Sequence, residues 1–301
     1  MRKKLGMNRQ RRIEALTGYA FVTPQLIGFV LLVLIPLVNV FIYSFHNKNM
    51  LYGTNIFIGM GNYEKLINDK LFWKTLGNTF RFSILLVPLN LILSFLLALY
   101  LGEQLFGSRY IRTVIFLPVV TSGVAWAIVW KYLLQSGTAG PINYFLSKVG
   151  ITGPNWLTDK NWAMISVVIN RVLKNLGTNV LIFLGAVMNM PRDVIEAARL
   201  DGANEWQVIR RVKLPLLMPT VLMVTIVTMI GSMRVFDTIR LMTDGGPEGS
   251  TMVLVYYIYH QAFKMFNTGY ASAIAVILFL IVLTLTIIQW TLRKKVSHYE
   301  D

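Results

Sequence analysis

Glu196-Ala197-Ala198-Arg199-Leu200-Asp201-Gly202, followed by Val212-Lys213-Leu214-Pro215, is a short charged segment set between two long apolar stretches. Pro191 ends the apolar stretch before it, because proline cannot continue the helical hydrogen-bond ladder. Asp193 with Glu196 three residues on has the capping-box pattern and predicts a helix over 194–201. Gly202 stands where a left-handed residue closes a helix. Asn204 with Gln207 repeats the box and opens a second helix, which Pro215 closes. Acids fill the first turns (Asp193, Glu196, Glu205) and bases the last (Arg210, Arg211, Lys213), as the helix dipoles favour. The reading is a helix–turn–helix over about 191–215. Ala197 and Ala198 are small enough for a partner surface to approach the backbone, and Glu196 and Arg199 offer charge beside them. Leu200, Val208, Ile209 and Val212 are placed to pack back on the rest of the chain.

Outward from that segment the chain reads as membrane protein. Of 301 residues, 55% are hydrophobic and only 14% charged, against about 25% charged in a soluble domain. Apolar stretches long enough to cross about 30 Å of hydrocarbon recur at about 24–45, 76–101, 111–134, 164–189, 216–240 and 269–292. A single apolar 20-mer in lipid can satisfy its backbone only as a helix. The first stretch is too long for a signal-peptide core and lacks a small-residue cleavage site, so it is expected to remain as a helix. The connecting segments at about 46–75, 135–163 and 241–268 are too short for separate folded domains. The expected fold is therefore all-α integral membrane: six transmembrane helices with the helix–turn–helix between the fourth and fifth, one domain over 1–301. Pro36, Pro88, Pro118 and Pro219 lie in or near the spans, where they bend helices.

A net charge of +15 could signal a nucleic-acid partner, but its distribution argues for topology instead. Arg2, Lys3, Lys4, Arg9, Arg11 and Arg12 crowd a basic N-terminus of about 1–18, and Arg293, Lys294 and Lys295 follow the last span. With both termini inside, Lys and Arg concentrate in the inner segments; this positive-inside bias places both termini and the 191–215 loop in the cytoplasm. No nucleic-acid role is expected, and the basic ends suit anionic lipid. The sequence holds no cysteine, so disulfides, thiol catalysis and Cys-based metal sites are excluded. His46, His260 and His298 are far apart and outside metal-ligand spacing. No Gly-x-x-x-x-Gly-Lys-[Ser/Thr] loop occurs, so any ATP used must be bound by another subunit. No nucleophile–base set is present either, and no catalytic residue is expected.

Inside the spans the polar residues are patterned. Asn170, Arg171, Lys174, Asn175, Thr178 and Asn179 fall on two adjacent helical rows of the fourth span. Arg234, Asp237 and Arg240 recur at every third position near the end of the fifth. Each ionisable group at the centre of a bilayer costs about 2.5–3.5 kcal/mol on insertion scales, so such groups face a cavity or a partner. At 1.5 Å per residue, Arg171 and Arg234 both lie on the order of 10 Å below the outer surface. One water-filled cavity lined by both spans is expected, with donors and acceptors suited to hydroxyl-rich solutes. The competing reading is an Arg234–Asp237 or Arg171–Asp237 pair that only staples helices.

The opening segment resembles the signature loop of permease subunits of binding-protein-dependent ABC importers. That loop reads Glu-Ala-Ala, three residues, Gly, nine residues, Ile, one residue, Leu-Pro, and only Val212 departs from it. Asn78-Thr79, Phe116-Leu117-Pro118, Asp201-Gly202-Ala203 and Thr243-Asp244-Gly245-Gly246-Pro247 look like the maltose-type and multiple-sugar branch. The resemblance implies a type I permease of the bacterial or archaeal plasma membrane, moving a sugar or oligosaccharide by alternating access. It implies no cofactor in this chain, with ATP and Mg held by two cytoplasmic ABC ATPase subunits. It also implies a second permease, a heterodimeric pairing by analogy, and an extracellular solute-binding protein. Glu196, Ala197, Ala198, Arg199, Asp201, Gly202, Leu214 and Pro215 would then couple to the ATPase. Arg171, Asn175, Thr178, Arg234 and Asp237 would contact solute, with more charge than in the maltose-type case. An ion-coupled secondary transporter, an importer of a non-sugar solute and an integral-membrane enzyme are the competing classes. Secondary carriers show paired repeats, which this sequence lacks, and have no use for the charged loop.

Overall fold

A computed structural model describes residues 9–103 and 107–297, with side chains described over 11–103 and 107–291. Arg2, Lys3, Lys4 and His298 lie outside the described residues. The chain divides into two compact units, residues 1–66 with 261–276 and residues 67–260 with 277–301.

The first unit begins with helix α1 (Arg9–Phe29), which runs through a widened π-helical turn (Val30–Leu34) into α2 (Ile35–Ser44). Pro36 has no N–H for the carbonyl four residues back, and the turn widens around it. The span therefore starts well before the expected residue 24. Its apolar window has a mean hydropathy of 2.7 and no buried residue. An antiparallel hairpin follows, β1 (His46–Asn49) and β2 (Thr54–Phe57), with His46 opposite Phe57 and Asn49 opposite Thr54. The Asn49 side chain closes its turn, accepting from Leu51 N at 2.9 Å and Tyr52 N at 3.2 Å. This hairpin was not anticipated from sequence; its strands are polar and too short for a clear alternating pattern. Helix α3 (Gly61–Asn68) buries Asn62, which donates to the carbonyls of Ser44 and His46, each at 2.9 Å.

The second unit is built on α4 (Lys70–Gly102), capped by Asp69 accepting from Leu71 N at 2.8 Å. Helices α5 (Ser108–Val120), α6 (Gly123–Leu133) and α7 (Pro141–Lys148) follow. Helix α8 (Lys160–Met188) is capped by Asp159, which accepts from Asn161 N and Trp162 N. Then come α9 (Arg192–Leu200), α10 (Glu205–Val208), α11 (Leu214–Leu216), α12 (Met218–Met233), α13 (Asp237–Met242) and α14 (Leu254–Tyr259). The last span, α15 (Thr268–Ser297), has its residues up to 276 in the first unit and the rest in the second.

Helix α4 packs along α8 and α12, and α5 packs on α8. Two apolar clusters fill the interfaces. One gathers Phe82, Leu86, Met164, Val168, Val235, Ile239 and Tyr256; the other gathers Ala98, Leu101, Ile115, Val180, Phe183 and Val224. Threading them is a buried polar ridge on α4: Thr75, Thr79, Ser83, Asn90 and Ser94 are all fully buried. Each hydroxyl returns a hydrogen bond to its own helix, and Ser83 also accepts from Ser232 of α12 at 2.8 Å. Small polar residues of this kind let helices approach where lipid removes the hydrophobic drive for association. At Gly177 of α8 an added Cβ would stand 2.5 Å from the Ile115 carbonyl oxygen, so α5 and α8 meet there backbone to backbone.

Four helices among the described residues are long and apolar enough to cross a membrane, or up to six if each of two bent pairs is one span. One bent pair is the expected third span; the other joins Glu205–Leu216 of the loop to α12, the main part of the expected fifth. The third breaks by 109° between α5 and α6, where Pro118 cannot donate and Thr121 turns extended. The fifth is bent by 69° at Leu217, and α12 stops at Met233 instead of near 240. The chain leaves the helix there to bury Val235 and Ile239 beside Tyr256.

Candidate functional site

The 192–217 loop folds as two short helices joined at Gly202, with some differences from expectation. Helix α9 begins after Pro191 and carries no side-chain cap, so the Asp193–Glu196 box does not form. The Asn204–Gln207 box does form: Gln207 N donates to Asn204 Oδ1 at 2.9 Å and Asn204 N to Gln207 Oε1 at 2.8 Å. Gly202 has φ +84°, the left-handed region, and Ala203 N closes back onto the Ala198 carbonyl at 3.0 Å. Pro215 does not close the second helix; the helical path runs through Leu216 and turns at Leu217. Pro215 has no N–H to donate, and the helical path ahead of it widens into a π-helical turn over Ile209–Lys213.

Across the Gly202 turn, Arg199 Nη2 and Glu205 Oε1 pair at 2.9 Å. The hydrogen bond from Arg199 holds the exposed Glu205 carboxyl below its ordinary range. Because that value is depressed, the pair is intact at neutral pH and is lost as pH falls through the lowered carboxyl value. Glu196, Ala197, Asp201, Gly202 and Pro215 are exposed, and Ala198 and Leu214 are half-buried. Val208 is fully buried as expected, but Leu200 is 89% exposed rather than packed back. Trp206, at 66%, and Val194, at 45%, join it as uncovered apolar side chains on the same loop. Sequence reading passed over Trp206; an aromatic two residues after a helix N-cap, among charges, was the available signal. At the far end of the loop, Lys213 is buried and pairs with Glu103, just past α4.

The polar stripe of α8 separates into two sets. Asn179 turns inward, donating to Asn90 Oδ1 on α4 and to Thr228 Oγ1 on α12, the latter at 3.0 Å. Asn90 in turn donates to the Val172 carbonyl at 3.0 Å. Lys174 donates to the carbonyls of Pro118 and Thr121 at the break between α5 and α6, the Pro118 carbonyl also accepting from Thr121 N at 3.3 Å. Trp126 Nε1 on α6 donates to the Asn170 carbonyl at 3.2 Å. These residues hold the bundle and the bend together.

Arg171, Asn175 and Thr178 form the second set, on one row of α8 and half-buried to exposed. Arg234 terminates α12 and Asp237 begins α13, both exposed. The expected single helical face through Arg234, Asp237 and Arg240 is thus split by the turn at Val235-Phe236. Arg240 instead pairs with Asp244. Helix α13 packs on α6 and α8, which brings Asp237 within electrostatic reach of Arg171. Among the described residues no ion pair within 4.0 Å links Asp237 to Arg171 or Arg234. The helix-stapling pairs considered from sequence are not formed. What remains is a row of donors and acceptors with no hydrogen-bond or ion-pair partner among the described residues.

The outer motifs also meet. Asn78 Nδ2 donates to the carbonyls of Gly249 and Met252 at 2.8 and 2.9 Å, and Leu254 N donates to Thr79 Oγ1 at 2.9 Å. Asn78-Thr79 and the Gly-rich turn after Asp244, about 170 residues apart in sequence, are one structural device.

Residues 90–298 match the family described as binding-protein-dependent transport system inner membrane component. The lactose transport system permease protein LacF of Rhizobium radiobacter is 33% identical over 287 residues, 93% of this chain and 95% of that one. The arabinooligosaccharides transport system permease protein AraP of Bacillus subtilis is 31% identical, covering 90% of this chain and 86% of its own. A probable ABC transporter permease protein of Bacillus subtilis, YesP, is 32% identical over 98% of this chain and 96% of its own. Among solved structures, a bacterial ABC transporter involved in the import of the acidic polysaccharide alginate superimposes with a TM-score of 0.84 at 23% identity, over 94% of this chain and 96% of that one. The chain belongs to the inner-membrane components of binding-protein-dependent transport systems.

Proposed function

We propose that this chain is the permease subunit of an ATP-driven importer that carries a sugar or oligosaccharide across the plasma membrane. The observation that carries the reading is that Arg171, Asn175, Thr178, Arg234 and Asp237 stand without an ion-pair partner among the described residues, in a bundle whose buried polar groups are otherwise mostly hydrogen-bonded. Uncompensated ionisable groups at membrane depth are retained where they serve a pathway. The lactose and arabinooligosaccharide permeases among the relatives support a sugar as the cargo. The chain is a transport component, not an enzyme; ATP and Mg would be handled by two separate ATPase subunits.

The Gly202 knob supplies the coupling. Exposed Val194, Leu200 and Trp206 around the small Ala197 and Ala198 offer an apolar patch for a cytoplasmic ATPase, with Glu196, Arg199 and Asp201 at its rim. Apolar anchors within a charged rim are the usual anatomy of a protein interface. The span formed by α1 and α2 has no buried residue in its apolar window and would be covered by lipid and by a second, related permease. An external solute-binding protein would deliver the cargo. Termini and knob would face the cytoplasm, and alternating access would follow motion of the knob.

Uptake in cells tests the assignment. Glu196→Lys or Gly202→Asp is expected to leave membrane insertion intact and abolish transport. Asp237→Ala is expected to lower uptake at equal expression. Normal transport by both knob variants would overturn the coupling role.

A further inference from the structure

The charge on the open row is unbalanced. Arg171 and Lys174 on α8 and Arg234 at the end of α12 are cationic, and among these described residues Asp237, at the start of α13, is the one acid. Lys174 follows Arg171 by three positions on α8, so the like charges are neighbours on one helical face. The Arg171 Nε is buried and has no acceptor. Beside it Asn170 is fully buried, with neither its side-chain oxygen nor its nitrogen partnered. Lys174 spends two of its three donors on the Pro118 and Thr121 carbonyls and keeps one.

We propose that the solute this face carries is an acidic oligosaccharide, its carboxylates taken up by Arg171 and Arg234. The inference rests on reading the row as the solute path. Neutral sugar hydroxyls would accept hydrogen bonds here but leave the excess positive charge standing in a low-dielectric setting, where it is costly. A carboxylate supplies an acceptor for the guanidinium donors and the missing charge together, and guanidinium groups bind it in a two-pronged geometry. Asp237 then serves sugar hydroxyls between carboxylates and repels a solute that enters too densely charged.

The test uses the whole importer, purified through this chain with its partner subunits and binding protein and reconstituted in vesicles containing ATP. The probes are trisaccharides of galacturonate, glucuronate and mannuronate, the methyl ester of each, and maltotriose. Uptake of at least one uronate at about tenfold the rate of its ester is expected. Arg171→Gln with Arg234→Gln should bring that ratio close to one, and Arg171→Lys with Arg234→Lys should restore most of it. The lysine pair separates a charge effect from a folding effect. Uptake of maltotriose or an ester as fast as every uronate, or uptake of no uronate, would overturn the acidic-solute proposal and leave the importer reading standing. Uptake of any probe without ATP would overturn the importer reading itself.

Discussion

Lys213 Nζ and Glu103 Oε1 lie 2.9 Å apart, joining the end of the 192–217 loop to the end of α4. The lysine side chain is 6% exposed and the glutamate 45%. The pair is asymmetric: Glu103 can be solvated without its partner, whereas Lys213 cannot. Through this contact, force applied at the knob reaches the longest helix of the second unit directly. Removing Glu103 leaves a buried ammonium unpaired, which costs about 1–3 kcal/mol. Glu103→Ala is expected to lower the melting temperature in detergent and to uncouple ATP hydrolysis from solute. Glu103→Lys with Lys213→Glu should recover part of both. An unchanged melt and unchanged coupling in Glu103→Ala would remove this link from the account.

Asn78 holds two carbonyls of the turn after Asp244 with one amide group. Asn78→Ala is expected to cost about 1–2 kcal/mol and to raise hydrogen exchange across 247–254, with little change in α8. Exchange that rises equally everywhere would mean general unfolding instead of a released turn.

At the bend between α5 and α6 the Lys174 ammonium ties together the Pro118 and Thr121 carbonyls. Lys174→Met should loosen the bend, and Lys174→Arg should retain it in part. The chain has no cysteine, so Ser122→Cys, at the exposed break, gives a clean labelling site. Faster modification of Ser122→Cys in the Lys174→Met background is the expected result. An unchanged rate would show that packing alone fixes the bend.

Gly177 permits α5 and α8 to touch, and Gly185, eight residues on along the same helix, has nothing within 4 Å of an added Cβ. Gly177→Ala is expected to destabilise by about 1–3 kcal/mol, while Gly185→Ala is neutral or slightly stabilising through helix propensity. Thermal unfolding of the two variants side by side decides it.

The long apolar helices were legible through apolar length, four of them plainly and up to six if the bent pairs are counted, and the turn of the knob through Gly202 and the Asn204–Gln207 box, because these signals are local. Where the outcome turned on a partner distant in the chain, sequence reading failed. The break at Thr121-Ser122 depends on Lys174, and the early end of α12 depends on where Val235 and Ile239 find a core. Both were read as continuous helix from their apolar pattern. The stripe on α8 was visible as a stripe, but its division was not. Asn179 and Lys174 face protein, whereas Arg171, Asn175 and Thr178 do not, and periodicity on one helix cannot say what packs against each row. The α4 ridge of Thr75, Thr79, Ser83 and Ser94 carries a legible spacing of four along much of its length.

The most direct test of the central claim is purification of this chain from its own membrane in mild detergent, with mass spectrometry of what accompanies it. The account predicts an ABC ATPase and a second permease in the complex, and loss of the ATPase with Glu196→Lys while the chain still inserts. Recovery of the chain alone, moving solute in vesicles without ATP, would contradict it.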